Sequence, residues 1–256
     1  MRSLHLFAGA GGGLLADLML GHEPVGYVEI DNYCQRVIAQ RIKDGFLPEA
    51  PIFGDIRTFN SEGFAEGYTG LVDIVAGGFP CQDISVAGKG KGIDGEHSGL
   101  WGEMARTVRI IRPRYVFVEN SPMLSIRGAR RVFGDLAKMG FDARWGVLSA
   151  HETGAPHLRK RMFIVADSTG IGRDGMEKGK ENRCSGFDKQ SFSQWIELQA
   201  VLRIPMETTF NNPVRGVLRN DDGVATGVDR LKAVGNGQCS RQAALAFKIL
   251  MGGTND

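Results

Sequence analysis

At 256 residues the chain is long enough to bury a large core, as one domain or as one domain with a small addition. Its formal net charge of +2 excludes a global basic field, so any nucleic-acid partner must be met by local clusters such as residues 127–131 (RGARR) and 157–161 (HLRKR). Cys34, Cys81, Cys184 and Cys239 form no Cys-x-x-Cys pair and have no His at metal-ligand spacing, which disfavours a zinc site or a disulfide framework and fits reduced thiols in a cytoplasmic setting.

The chain opens MRSLHLFAGAGGG, where a short apolar run over 4–8 meets glycines before it can form a signal-peptide core. No later run reaches about 18 apolar residues, so secretion and membrane spanning are both disfavoured. The opening run reads as a strand entering a glycine-rich turn, with helical character over 14–20. Residues 24–30 are strand-like, and 33–42 carry helical spacing at Val37, Ile38 and Ile42. Residues 52–56 form a short extended piece and 71–76 (LVDIVA) a buried strand. A helix over 100–111, a strand over 115–118, a helix over 130–139 and strands over 142–149 and 161–166 follow. This alternation predicts an α/β fold, a mostly parallel Rossmann-like sheet with helices on both faces. The pattern breaks at Asp167, and Gly, Asn, Asp and mixed charge dominate to Asp229 around one helix-like stretch, 195–204 (WIELQAVLRI). The predicted organisation is a main domain over 1–166, a small irregular region over 167–229, and a segment over 230–256 that returns to the main domain through a helix over 241–250.

A strand, a glycine loop (Gly9, Gly11, Gly12) and a helix in that order let the backbone approach a ligand closely, although such a loop alone is weak evidence. Glu29 supplies the support. It lies about 20 residues beyond Gly9 at the end of the next strand, where an acidic residue accepts hydrogen bonds from ribose hydroxyls. Asp55 and Ile56 end the following short strand and are placed to flank an adenine. No phosphate-grasping Lys loop is present in the sequence. A ribose and adenine without a polyphosphate point to S-adenosylmethionine over NAD or ATP.

The most informative segment is 77–85, GGFPCQDIS. Gly77, Gly78 and Pro80 end an apolar strand in a turn that lifts the Cys81 thiol off the sheet edge. A Pro-Cys pair alone is more often a core cysteine. Residues 115–122 (YVFVENSP) change that weighing, because a second apolar strand delivers Glu119 and Asn120 to the same kind of edge. A thiol and a carboxyl on two strand ends make a nucleophile and acid pair.

Taken in order, LFAGAGGG, VEIDNYC, GDI, GGFPCQDIS, VFVENSP, APHLRKRMFIVA and AVGNGQCSRQ resemble the blocks of the DNA (cytosine-5)-methyltransferases, and in particular a small bacterial or phage-borne modification enzyme. The resemblance covers the chain outside 167–229. It implies an S-adenosylmethionine-dependent methyltransferase fold, with 1–166 as catalytic and cofactor-binding domain and 167–229 as target-recognition region. Cys81 matches the nucleophile that adds to cytosine carbon 6, and Glu119 the carboxyl that contacts ring nitrogen 3. Arg159 and Arg161 match an Arg-x-Arg clamp that would also lower the thiol pKa. Phe7 and Ile30 match residues beside the adenine and ribose, together with Gly9, Gly11, Gly12, Glu29, Asp55, Ile56 and Asn236. Pro80, Gln82, Ser85 and Asn120 match positions facing the target base and DNA, and the glycine-rich 88–99 looks like a closing loop. The implied partner is double-stranded DNA, with the base flipped out to reach Cys81. S-adenosylhomocysteine would be the product, and no metal and no membrane are expected. A monomer is expected; a cognate restriction endonuclease is compatible with such an enzyme but leaves no trace in the sequence.

Departures from the family pattern are His5, where an acidic or small polar residue is common, Ile30 in place of an aromatic, and His157 in place of Gln. Two related readings stay open: a tRNA cytosine-5 methyltransferase of the same fold, and a catalytically weak DNA-binding relic. The Pro-Cys-Gln string favours DNA, and the intact Cys81, Glu119 and Arg161 weigh against a relic. An oxidoreductase would leave Cys81 and Glu119 without roles.

Overall fold

Alternation of side chains along the strands decides the architecture. In the computed structural model, which describes residues 1–80, 100–155, 157–168 and 237–252, seven strands form one sheet. They are β1 (Arg2–Leu6), β2 (Glu23–Val28), β3 (Ile52–Phe53), β4 (Ile74–Gly77), β5 (Tyr115–Asn120), β6 (Asp142–Ser149) and β7 (Lys160–Asp167), in the spatial order β3-β2-β1-β4-β5-β7-β6. Every ladder from β3 to β5 is parallel, and β7 alone runs antiparallel, inserted between β5 and β6. The described helices are α1 (Gly12–Met19), α2 (Asn32–Lys43), α3 (Ile56–Ser61), α4 (Leu100–Ile111), α5 (Leu124–Arg127), α6 (Ala129–Lys138) and α7 (Ser240–Leu250).

Successive residues of β5 feed opposite faces of the sheet. Val116 and Val118 join a core with Trp101, Met104 and Val132 of α4 and α6, while Tyr115 and Phe117 join one with Ala16 of α1 and Phe247 of α7. Strand β7 repeats this, with Ile164 on the first face and Phe163 and Val165 on the second. A strand covered on both sides reads as a continuous apolar run, which is why 115–118 and 161–166 were legible.

Two expectations need correction. The strand predicted over 71–76 begins only at Ile74: Leu71 closes a turn on the Tyr68 carbonyl and is exposed, and Ser3 of β1 first pairs with Ile74. The extended piece predicted over 52–56 is a strand only at Ile52–Phe53, because the Asp55 side chain caps α3 by accepting the Arg57 N–H at 2.9 Å.

One face of β1 is polar where its neighbours are apolar. Ser3 and His5 point toward α1 and meet Asp17, and all three are buried. Ser3 Oγ donates to Asp17 Oδ2 at 2.5 Å, His5 Nε2 lies 2.7 Å from the same oxygen, and His22 Nδ1 lies 3.1 Å from Oδ1. His5, which the sequence marked only as a departure, is therefore a partner in a fastener between β1 and α1. Burial by itself raises the Asp17 pKa; the pull of His5 and the hydrogen bonds from His22, His5 and Ser3 outweigh it and hold the carboxyl well below its usual range.

That depressed pKa sets a sign. The stabilisation from Asp17 is full above the unfolded carboxyl value of about 4 and is lost as pH falls below it. Asp17→Ala leaves buried polar partners stranded and is expected to cost roughly 3–5 kcal/mol at pH 7. In urea melts, Asp17→Asn should lose least relative to wild type at the lowest pH. A deficit that stayed constant from pH 7 to pH 3 would remove the carboxylate from this role.

Candidate active site

Parallel strands end on one edge of the sheet, and the strand order reverses between β1 and β4, so the loops after β1 and β4 diverge over a crevice where ligands of such folds bind. Gly77 makes the centre of this edge tight. A β-carbon there would lie 2.6 Å from the Leu6 carbonyl oxygen of the adjacent strand.

The loop after β1 turns sharply. Phe7 has φ +54, uncommon for an aromatic, and Gly9 and Gly11 have φ +56 and +97. The loop is fastened to the end of β2, where the Gly9 N–H donates to Glu29 Oε2 at 2.6 Å and the Asp31 N–H to Oε1 at 2.8 Å. Gln35 of α2 donates to the Glu29 carbonyl at 2.6 Å. Glu29 is thus a buried, oriented carboxylate with acceptor capacity left on both oxygens, which suits the paired hydroxyls of a ribose. Ile30 beside it is 66% exposed, an apolar surface at the mouth of the crevice, and Phe7 is half-buried. Asp55 and Ile56 stand farther along the edge. One Asp55 oxygen is used as the cap of α3, and Ile56 is buried in the core with Phe59.

The turn after β4 is held by three contacts. Gly77 packs on Leu6, Phe79 is buried against the Trp101 ring of α4 at 5.6 Å between centroids, and Asn120 Nδ2 donates to the Phe79 carbonyl at 3.0 Å. Asn120 also accepts the Ser121 N–H at 2.8 Å, so its amide oxygen and nitrogen are both engaged in shaping the turn. Pro80, half-buried, closes the described part of this turn. Cys81, Gln82, Ser85, the loop 88–99, Asn236 and the region 169–229 lie outside the described residues.

Strand β7 explains how the basic pair reaches this edge. Because it runs antiparallel to β5, Asn120 pairs with Met162, and the start of β7 lies where β5 ends. Arg161 Nε stands 2.8 Å from Glu119 Oε1 in an ion pair. Glu119 is buried, and that burial raises its pKa; Arg161 and then Arg159 pull the other way without cancelling it. Burial and arginine charge thus act in opposite directions on this carboxyl, a pattern that clusters at functional sites.

Sequence reasoning missed two glutamines. Gln242 of α7, fully buried, donates to the carbonyls of Leu148 and Arg159 at 2.7 and 2.8 Å, and so locks the chain leading into β7. Gln238 packs against both loops of the crevice. A polar residue in an otherwise small, apolar helix (SRQAALAFKIL) was the available signal for Gln242; nothing local in GNGQC marked Gln238.

A doubly wound sheet with a glycine loop, a ribose-type carboxylate and a buried acid paired to arginine defines a methyltransferase-type α/β domain. The family model for C-5 cytosine-specific DNA methylase matches residues 1–204, and the chain belongs to that family. It is 32% identical over 166 residues to the Type II methyltransferase M.CviJI of Paramecium bursaria Chlorella virus IL3A, covering 64% of this chain and 42% of that protein. It is 32% identical over 169 residues to M.HhaI of Haemophilus parahaemolyticus, covering 64% and 48%. The chain thus spans less than half the length of these relatives. Among solved structures, DNMT2 of Spodoptera frugiperda shares the fold with a TM-score of 0.54 at 19% identity, covering 73% of this chain and 55% of that one. Dnmt2 of S. pombe does so with 0.52 at 19%, covering 75% and 57%. Among the described residues no group of His, Cys, Asp and Glu is arranged to hold a metal, and no helix is long and apolar enough to cross a membrane.

The raised Glu119 pKa also carries a stability sign. The contribution of this group is full below the unfolded value of about 4.3 and is lost as pH rises through the folded one. Glu119→Gln is expected to be at least as stable as wild type at pH 8 and to lose that relative advantage near pH 4. Denaturant melts at the two values decide it; a variant clearly weaker than wild type at pH 8 would contradict the assigned burial cost.

Proposed function

We propose that this chain methylates carbon 5 of cytosine in double-stranded DNA, using S-adenosylmethionine, and that the base is flipped out of the helix to reach the site. The single observation that carries the reading is the buried Glu119 carboxyl, its pKa raised by burial, set against Arg161 at the end of the strand beside the turn that leads into Cys81. The glycine loop and Glu29 fit the cofactor. Gly9 and Gly11 have backbones that favour glycine, and Glu29 keeps acceptors for a ribose diol. When bound, S-adenosylmethionine supplies the electrophilic methyl group that carbon 5 captures.

The protein's own groups prepare that carbon. Cys81, as thiolate, adds to carbon 6 of the ring, forming a carbon–sulfur bond and moving the ring electrons toward carbon 5 and nitrogen 3. Glu119 shares its proton with nitrogen 3 and offsets the charge that develops there. Arg161 holds Glu119 in place, and Arg159 adds positive potential that favours the thiolate. Once carbon 5 is methylated, a water molecule acting as base takes its proton, the C–H electrons re-form the ring double bond, the carbon–sulfur bond breaks and Cys81 leaves as thiolate. Asn120 acts by fixing the turn after Phe79, while Pro80, Gln82 and Ser85 are assigned to the target base by the family blocks they match. Residues 167–229 read the target, which for a region this short is on the order of two to five base pairs.

Cys81→Ser should abolish methyl transfer to unmethylated genomic DNA while leaving DNA binding, because a serine alkoxide is not accessible near neutral pH as a thiolate is. Duplex DNA made with 5-fluorocytosine throughout should trap wild type covalently, since fluorine blocks loss from carbon 5. Equal trapping of Cys81→Ser would sink the assignment.

In single-turnover assays Glu119→Gln should slow the chemical step about 10²-fold or more, with little change in cofactor affinity. Normal turnover would take Glu119 out of the reaction.

A further inference from the structure

Three glycines at the crevice have no conformational reason to be glycine. Gly12, Gly13 and Gly78 lack the left-handed backbone of Gly9 and Gly11. Gly13 even sits in the first turn of α1, where glycine is disfavoured. One residue, Gln238, lies against all three, joined by His5 at Gly13 and by Glu119 at Gly78. A β-carbon on Gly12 would collide with the backbone carbonyl of Gln238; one on Gly13 would lie 2.6 Å from Gln238 Oε1, and one on Gly78 would lie 3.0 Å from Gln238 Nε2. Gly12 and Gly13 begin the helix after the cofactor loop, and Gly78 belongs to the catalytic turn. The Gln238 side chain therefore spans the gap between the two loops.

Its polarity matches what it meets at each end. The carbonyl end faces the first turn of α1, where backbone N–H groups have no partner within the helix and the dipole is positive. The amide end faces Gly78 on the side of Glu119, whose Oε2 lies 2.8 Å from the same β-carbon position. This is the Glu119 oxygen not engaged by Arg161, which holds Oε1.

We propose that Gln238 is a positioning residue that couples the cofactor loop to the catalytic turn: it sets the spacing between Gly13 and Gly78 and so transmits occupancy of the cofactor crevice to the turn that carries Pro80 and Cys81 and to Glu119. The proposal rests on the function proposed above. A primary amide serves because it is acceptor at one end and donor at the other. An apolar side chain of the same length fills the gap but loses both complementary contacts.

The test uses the full chain and S-adenosylhomocysteine as probe. In wild type, amide hydrogen exchange over residues 77–79 should slow about tenfold when the probe binds. Gln238→Met, which keeps the volume, should bind the probe within about threefold of wild type and retain its melting temperature, yet lose that slowing. Gln238→Ala should lose it too and weaken probe binding further. Gln238→Glu reads the second contact. The charged groups that face Glu119 among the described residues are Arg161 and Arg159. A new carboxylate on the Oε2 side would keep the proton on Glu119 to higher pH and shift the alkaline limb of kcat upward, measured with unmethylated genomic DNA and labelled S-adenosylmethionine. A filler role would leave that limb in place. If Gln238→Met keeps the probe-dependent slowing at 77–79, or if Gln238→Glu leaves the alkaline limb unmoved, the coupling is overturned. If wild type fails to bind the probe at all, the cofactor reading itself falls, and the coupling with it.

Discussion

The site depends on how closely the backbones of β1 and β4 approach at the middle of the sheet. A side chain at Gly77 would run into the Leu6 carbonyl, and one at Gly78 into Glu119. With both positions bare, the turn after β4 can lie flat across the end of β1 and against the end of β5. That brings a loop from each of three neighbouring strands into one crevice: the glycine loop, the turn leading to Cys81, and the Glu119–Asn120 strand end. Phe79 and Asn120 then fix the height of the turn, one by burial against Trp101 and the other by holding the Phe79 carbonyl. No side chain at this edge has to fix its own backbone; the packing beneath it does so.

The second requirement is a cation at this edge, which parallel topology alone does not supply. A parallel strand beyond β5 would begin at the opposite edge of the sheet and carry its first residues away from the crevice. The reversed direction of β7 puts its N-terminal end beside the C-terminal end of β5, so Arg161 meets Glu119 at the strand boundary. Gln242 holds the approach to β7 by two bonds to main-chain carbonyls. Helix α7 is therefore part of the support of the basic pair, although it lies far along the chain.

Much of this was legible from sequence because both faces of the sheet are covered. Apolar runs then mark the strands, and polar residues that interrupt strand ends mark the crevice: Glu29 after GYV, and Glu119 and Asn120 after YVFV. The helix over 100–111 was readable to its ends. What failed were features set by local capping or by distant neighbours. The stretch 52–56 looked extended because Asp55 reads equally as a strand end and as a helix cap. Leu71 looked buried because an apolar residue in a turn has the same letter as one in a strand. His5 read as an oddity because its partner, Asp17, stands twelve positions away inside an apolar helix. Gln238 could not be read at all, since its significance lies in three glycines belonging to two other motifs.

Asp17 and Glu119 show how one fold gives two buried carboxyls opposite properties. Both are desolvated, which disfavours the charged form of each. Asp17 meets hydrogen bonds from Ser3, His5 and His22 and is driven toward the anion, where it serves as a permanent anchor for β1 and α1. Glu119 meets the charges of Arg161 and Arg159 and a hydrogen bond from Arg161, yet its burial outweighs them and its pKa is raised. His5 Cε1 and Gln238 Oε1 would lie 2.9 and 2.6 Å from a β-carbon on Gly13, and Gln238 Nε2 and Glu119 Oε2 3.0 and 2.8 Å from one on Gly78. Bare glycines at 13 and 78 thus leave room for the ends of His5 and Gln238 at one position and of Gln238 and Glu119 at the other. An added methyl group at Gly12 would meet the Gln238 backbone itself, whereas one at Gly13 or Gly78 would meet the ends of side chains.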